Sequence, residues 1–270
     1  MEAAVADFSE KGGVGKTSTA SGLIAVAAKR GMKVVGVDLD PRHTLTKELG
    51  ATGAEFSLND LLFVDPEADE PPGDPAVLVH QALTAAGDQW PANVRVLASE
   101  RPLGRRETDP TTFELRLRRA LDGLDDVDLV VMDVPPRAGG KLASTALIAA
   151  DRVLIPATLT ADGYDGALEA VKTIRHIGAP GGLNPGLRIS GIVRSIVPRD
   201  RDRREIHDHW DGTLARDFEG HLLPVQIHSY AVREVCRTAC APITLAPGRE
   251  ARKLEDVYGQ LLDSILGDRS

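Results

Sequence analysis

Short apolar runs that end in an acid, a glycine or a proline alternate along this chain with longer stretches in which apolar residues return every third or fourth position. The first kind predicts strands at residues 3–9, Lys33–Pro41, Asn93–Ser99, Asp128–Pro136, Asp151–Pro156, Leu187–Val197 and Val225–His228. The second kind predicts helices at 17–30, closed by Gly31, in two pieces within 43–63, at 111–122, after Gly139 and Gly140, at 162–177, and briefly over Ser229–Cys236. Leu58, Leu61 and Leu62 form one inward stripe, and Leu168, Val171 and Ile174 another. A last helix carries Leu254, Val257, Tyr258, Leu261, Leu262 and Ile265 on one continuous face. Lys33–Pro41 and Asp128–Pro136 have apolar centres, as in strands covered on both faces, whereas Asn93–Ser99 alternates. Regular strand–helix alternation therefore predicts an α/β fold, a mainly parallel, doubly wound sheet flanked by helices, with residues 1–270 as a single domain and no internal repeat. Residues 64–75 are acidic and Pro-rich and read as an exposed surface loop, and Ala179–Gly186 is a turn-rich connection.

Composition changes this picture in two places. Hydrophobic residues make up 42% of the chain but aromatics only 4%, so Ala, Val, Leu and Ile fill the interior. Lys and Arg number 32 against 40 acids, a formal net charge of −8, so the chain as a whole is not a basic nucleic-acid binder and any DNA contact needs a local patch. No basic leader precedes an apolar core, and no run approaches the roughly 18 apolar residues that span a bilayer, which predicts a cytoplasmic protein. The two cysteines, Cys236 and Cys240, supply only two ligands and read as packing residues. His207 and His209 fall on different helix faces and read as surface residues.

The chemistry concentrates at Ser9-Glu10-Lys11-Gly12-Gly13-Val14-Gly15-Lys16-Thr17-Ser18, between the first strand and the first helix. Glycines let a backbone curl so that several N–H groups point inward, and the following helix adds its open N–H groups and positive dipole end. Such a cup binds polyanions. Lys16 is placed to reach terminal phosphates and the Thr17 hydroxyl to sit on Mg²⁺. A plain strand-to-helix turn would not need a Lys-Thr pair at this spacing. Two later strands end in acids, Asp38 with Asp40 and then Asp133 before Pro135 and Pro136, and ligands gather at that end of parallel strands. Asp133 suits a Walker B acid that holds a Mg²⁺-bound water opposite Thr17.

The form Lys-Gly-Gly-x-Gly-Lys-Thr, with Glu10 where the general phosphate loop has glycine and with an added Lys11, resembles the deviant Walker A motif of the ParA/MinD superfamily of P-loop ATPases. Asp38-Leu39-Asp40-Pro41 and Asp133-Val134-Pro135-Pro136 are similar to that family's second and third motifs. The chain resembles most closely the ParA-type, Soj-like partition ATPases that lack an N-terminal helix-turn-helix. The resemblance implies that Asp40 is the catalytic carboxylate, that Asp38 lies nearer the Mg²⁺ shell, and that ATP and Mg²⁺ are bound. Lys11 is implied to act across a homodimer that sandwiches two ATP molecules. Arg42 stands where the family has Gln, and Arg194 and Ser195 where it often has an adenine-recognising side chain. The order of strand, short basic helix and Ala241-Pro242-Ile243 is also similar.

What the family does implies a slow, partner-stimulated ATPase that binds DNA non-specifically, is nucleoid-associated and segregates chromosomes or plasmids with a ParB-like centromere-binding protein. Positioning of another cargo shares every motif. A MinD-like membrane role fits less well because Asp263–Ser270 is not basic, so the last helix is assigned to the core, with no stable membrane insertion. An iron–sulfur role fits less well still, since no Cys precedes Cys236. The DNA-contact candidates are Arg199, Arg201, Arg203, Arg204, Arg233, Arg237, Arg249 and Arg252, although the run Pro198–Glu205 reads first as a helix start with solvated ion pairs and only second as a phosphate contact.

Overall fold

The structure is a computed structural model that describes residues 1, 3–52, 55–68, 72–136 and 139–267. In chain order, β1 (Ala3–Asp7) leads through the glycine turn to α1 (Lys16–Lys29), and β2 (Val34–Asp38) to the short α2 (Thr44–Glu48) and α3 (Leu58–Leu62). Next come α4 (Pro75–Ala82), β3 (Leu83–Ala85), β4 (Val94–Leu97), a 3₁₀ segment over Arg101–Thr108, α5 (Arg116–Asp122) and β5 (Leu129–Asp133). The second half runs α6 (Lys141–Ala149), β6 (Arg152–Ala157), α7 (Ala161–Ile177), β7 (Arg188–Val197), α8 (Glu205–Asp217), β8 (Leu222–His228), α9 (Ala231–Thr238) and α10 (Arg249–Gly267).

All eight strands join one sheet in the order β3-β4-β2-β5-β1-β6-β7-β8. Every pairing is parallel except the edge pair of β3 and β4. The mainly parallel, doubly wound sheet expected from the alternation is present. The order reverses beside β1, and the crevice of such a sheet opens at that point, above the carboxyl ends of the central strands. There the register is level: Asp7 of β1 pairs with Asp133 of β5, which pairs with Asp38 of β2. Three neighbouring strands thus present three aspartates side by side.

Successive side chains of a strand point to opposite faces, and each face has its own core. Ala4, Ala6, Val35, Val37, Val130 and Met132 pack on one side with residues of α3 to α7. Ala3, Val5, Val34, Leu129 and Val131 pack on the other with α1 and α10. Residues Leu254, Tyr258, Leu261, Leu262 and Ile265 of α10 are all buried there, so its apolar face is a core face as the periodicity predicts. Gly22 makes this possible. A Cβ at that position would lie 2.4 Å from the Tyr258 ring, so the glycine forms the slot into which the ring fits. On the same side, Trp90 Nε1 donates to the carbonyls of both Glu48 and Cys240, at 3.2 and 3.0 Å, tying α2 to the segment after α9.

Several boundaries differ from the sequence reading. The acidic segment 64–75 is irregular where described, with residues 69–71 outside the described residues, but its last member, Pro75, already begins α4. Asp74 caps that helix by accepting from the Ala76 N–H, and a proline in the first turn leaves no donor unpaired. Neither α4 nor the edge strand β3 was expected: α4 begins inside the Pro-rich stretch, and β3, with three residues, is too short to show a period. The helix expected over 111–122 begins only at Arg116. The tail residues 268–270 lie outside the described residues.

Replacing Gly22 with Ala improves intrinsic helix propensity by about 1 kcal/mol, but the new methyl collides with a buried ring, and overpacking costs about 1–3 kcal/mol. The collision is expected to win, lowering the urea midpoint of the variant; an unchanged or raised midpoint would show that the ring can retreat.

Candidate active site

The turn after β1 is built as the sequence implies. Gly13 and Gly15 adopt positive φ, 79° and 88°, where other residues are strained, and nothing lies within 4 Å of a Cβ placed on Gly13. Gly15 also precedes α1 without any side-chain cap, and no acid occupies the first turn. The leading N–H groups of α1 are thus left without side-chain partners, at the positive end of a 14-residue helix. Ser195 Oγ at the end of β7 donates to the Val14 carbonyl at 2.6 Å, holding the turn from the side. The residue at which the resemblance places base recognition therefore braces the phosphate loop. Arg194 pairs instead with Asp211 and donates to the Leu223 carbonyl.

Lys16 is buried, and its Nζ donates to the carbonyls of Ser9 and Lys11 at 3.2 and 3.0 Å, across the mouth of the turn. Thr17 Oγ1 donates to Asp133 Oδ2 at 2.7 Å. The two side chains expected on opposite sides of Mg²⁺ are therefore adjacent, and both are oxygen donors of the hard kind that this ion takes, few in number because it keeps several waters. The residues fit the ion. Lys11 pairs with Asp162 of α7 at 3.0 Å, and both side chains are well exposed, 45% and 70%. Among the described residues the Lys11 side chain has no other ion pair.

Asp38 is fully buried. Its Oδ1 accepts from the Asp40 N–H at 3.1 Å, and its Oδ2 accepts from the Thr46 N–H and hydroxyl, each at 2.8 Å. It therefore braces the loop that carries Asp40. Burial pushes its carboxyl up to about 6 against the pull of those hydrogen bonds. Asp133 is raised well above the ordinary range, first by burial and then by Asp38. Asp7 is raised likewise, by burial and by Asp133, and its oxygens have no hydrogen-bond partner among the described residues. Lys16 is lowered by burial, although Asp7 and Asp133 oppose this. Sequence reading missed Asp7. The signal was its place at the end of an otherwise apolar strand.

A cavity of about 520 Å³ opens next to Gly15, Ser18 and Thr19, lined on its far side by Ile196, Arg199, His228 and Tyr230. The Arg199 guanidinium stacks over the Tyr230 ring at 5.1 Å. Ile196 has φ 51°, a strained value for a β-branched residue, and it lies against Gly15. The cavity is large enough for a nucleoside beside the phosphate turn. Its far wall comes from the ends of β7 and β8 and the segments that follow them, which no motif marks.

The arginine candidates divide. Arg233 leaves the set: its guanidinium is buried and paired with Glu48, and Arg237 lies 3.5 Å from the same carboxylate. Arg203 is held by Asp208 and Asp211, Arg201 by Asp202, and Arg199 by Glu250. Among the described residues no ion pair involves Arg204, Arg249 or Arg252. His207 accepts from the Arg204 N–H as part of the start of α8, and His209 packs edge-on to Trp210. Cys236 is buried and Cys240 partly so, and among the described residues no group of three or more His, Cys, Asp or Glu could hold a metal ion.

The Asp38 carboxyl makes a pH-dependent contribution to stability. Its folded pKa, about 6, exceeds the unfolded value near 4, so stability is full below the unfolded value and declines until the pH has passed the folded one. The loss is on the order of 2–3 kcal/mol. Asp38→Asn removes this dependence whatever constant offset it adds. The unfolding free energy of the variant relative to the unmutated chain, measured in urea without nucleotide or magnesium, is expected to rise between pH 4.5 and pH 7.5, and a flat difference would refute the assignment.

Known proteins place this arrangement. The family model for the AAA domain matches residues 3–189. The chromosome-partitioning ATPase Soj of Thermus thermophilus is 35% identical over 70% of this chain and 67% of its own. The sporulation initiation inhibitor protein Soj of Bacillus subtilis is 31% identical over 72% of each. Among solved structures, cobyrinic acid a,c-diamide synthase of Mycobacterium smegmatis, with bound ATP analogue and magnesium, superposes with a TM-score of 0.69 at 25% identity, covering 98% of this chain and 96% of that one. No helix among the described residues is long and apolar enough to cross a membrane. The phosphate turn, the level row of strand-end acids and the partition-protein relatives together show that the chain belongs to the ParA/MinD superfamily of P-loop ATPases, on its ParA-type branch.

Proposed function

We propose that this chain is a Mg²⁺-dependent ATP hydrolase that pairs with a second copy around bound ATP, holds non-specific DNA in that state, and segregates chromosomes or plasmids with a ParB-like partner. The observation that carries the reading is the placement of Lys11. It shares a turn with Lys16, yet its own side chain projects to the surface and is held only by an exposed acid. An exposed pair of this kind contributes little, about 0–1 kcal/mol, so the lysine is free to exchange Asp162 for the phosphates of a facing subunit.

Within one subunit, the N–H groups of the turn and Lys16 hold the phosphate chain, and the wall of Ile196, Arg199, His228 and Tyr230 takes the nucleoside. Thr17 and Asp133 would hold magnesium, which would supply neutralisation of phosphate charge. Asp40 orients water for attack on the γ-phosphorus, giving ADP and phosphate. A cation lent across an interface stabilises charge that develops during this transfer, an effect on the order of 10³-fold or more for arginine fingers. Bound nucleotide is thereby expressed as association.

DNA contact is assigned to cations that no acid engages among the described residues. Arg249 and Arg252 open α10 beside Lys253, and Arg204 opens α8. Contacts to phosphates alone predict little sequence preference and steep salt dependence. The buried apolar face of α10 leaves no amphipathic surface for a bilayer, which favours DNA over the MinD-like reading. A cytoplasmic, nucleoid-associated location follows from the same reading.

Lys16→Ala is expected to weaken ATP binding on the order of a hundredfold, read by titration with a fluorescent analogue. Asp40→Ala should bind ATP and remain dimeric, read by light scattering after gel filtration; full hydrolysis by that variant would remove its catalytic assignment. The ATP-loaded chain should be retained on arbitrary duplex DNA at low salt and released as salt rises, with Arg249→Ala/Arg252→Ala weakening retention. A loaded dimer with no such retention would transfer the proposal to positioning of another cargo.

A further inference from the structure

Arg42 stands against the carboxylate that is read above as orienting water. Its Nε lies 3.3 and 3.2 Å from Asp40 Oδ1 and Oδ2, its Nη2 lies 2.9 Å from Oδ2, and its backbone N–H donates to Oδ1 at 2.9 Å. A carboxylate has roughly four acceptor sites, and one residue makes four contacts with this one. The main chain of Asp40 is fixed independently, because its carbonyl accepts from Ser99 Oγ and from the His43 N–H, each at 2.8 Å. The loop geometry therefore does not depend on the guanidinium.

The pair is also placed to open. The Asp40 side chain is 11% exposed and faces inward, whereas that of Arg42 is 70% exposed and approaches from solvent. Beside them a cavity of about 390 Å³, lined by Pro41, Gly104, Glu107, Pro135 and Pro136, gives the guanidinium room to leave without disturbing either core. An arginine can grip a carboxylate with two donors at once, which a glutamine or a lysine cannot.

We propose that Arg42 is a positioning residue that latches Asp40, occupying the acceptor sites that would otherwise orient water, and so sets a low rate of ATP hydrolysis in the unstimulated chain. The inference rests on the assignment of Asp40 as the catalytic carboxylate. Closed, the latch leaves nucleotide binding intact and withholds the water. Open, it exposes the oxygens of a carboxylate whose backbone has not moved.

Steady-state hydrolysis over a range of Mg·ATP concentrations, without DNA or partner, tests this. Arg42→Gln is expected to raise kcat roughly fivefold, the population shift that follows removal of a partly exposed ion pair, with KM changed less than about twofold. Arg42→Lys, which keeps the charge but not the fork, should fall between the two. Asp40→Asn should abolish turnover, and the double variant should show no gain. If Arg42→Gln leaves kcat unchanged or lowers it while Asp40→Asn is inactive, the latch is wrong and the catalytic assignment stands. If Asp40→Asn turns over at the unmutated rate, both fall.

Discussion

Parallel pairing in register is the constraint from which the rest of the site follows. Because β2, β5 and β1 are level at their carboxyl ends, Asp38, Asp133 and Asp7 stand in one row, buried and mutually repelling. Burial of like charges is costly unless cations or donors face them. The structure answers differently at each position. Asp38 receives three donors from Asp40 and Thr46, Asp133 receives the Thr17 hydroxyl, and Asp7, with no hydrogen-bond partner among the described residues, faces the nearby charge of Lys16. This acidic floor lies beneath a turn built to accept anions, so the two halves of the site have opposite sign. A nucleotide with its divalent cation complements both.

The second layer of the site is mechanical. Ser195 holds the phosphate turn to β7, Thr46 holds Asp38 to α2, and Ser99 holds the backbone of Asp40 to the end of β4. Each bond joins the site to a strand or helix that is itself packed in one of the two cores. The side chains of Lys11 and Arg42 are by contrast well exposed, each paired with one acid, Asp162 of α7 and Asp40. Rigid main chain with movable cations suits a cycle in which nucleotide state alters contacts rather than fold.

The legible parts of this chain were those written in local chemistry. Gly13, Gly15, Lys16 and Thr17 announce a phosphate turn because no other residue types satisfy its dihedrals and charges. The apolar strands and the face of α10 were equally plain, since a period repeated over several turns cannot arise from a loop. Illegible were features made by distant partners. Nothing near Arg233 in sequence says that Glu48 will claim it, and nothing in Ile196 forecasts a left-handed backbone. Asp7 gains its meaning only from strand register, which sets it beside Asp133. The cavity wall of Ile196, Arg199, His228 and Tyr230 was hidden for the same reason, being assembled where the ends of β7 and β8 lie side by side.

Trp90 illustrates what such distant assembly makes possible. Its indole N–H is shared between the carbonyl of Glu48, whose side chain grips Arg233, and that of Cys240 beyond α9. The ring therefore sits where the segment after α9 docks onto α2. Indole emission responds to the polarity and hydrogen bonding around it, so the fold carries an intrinsic optical gauge of how tightly its two halves are joined.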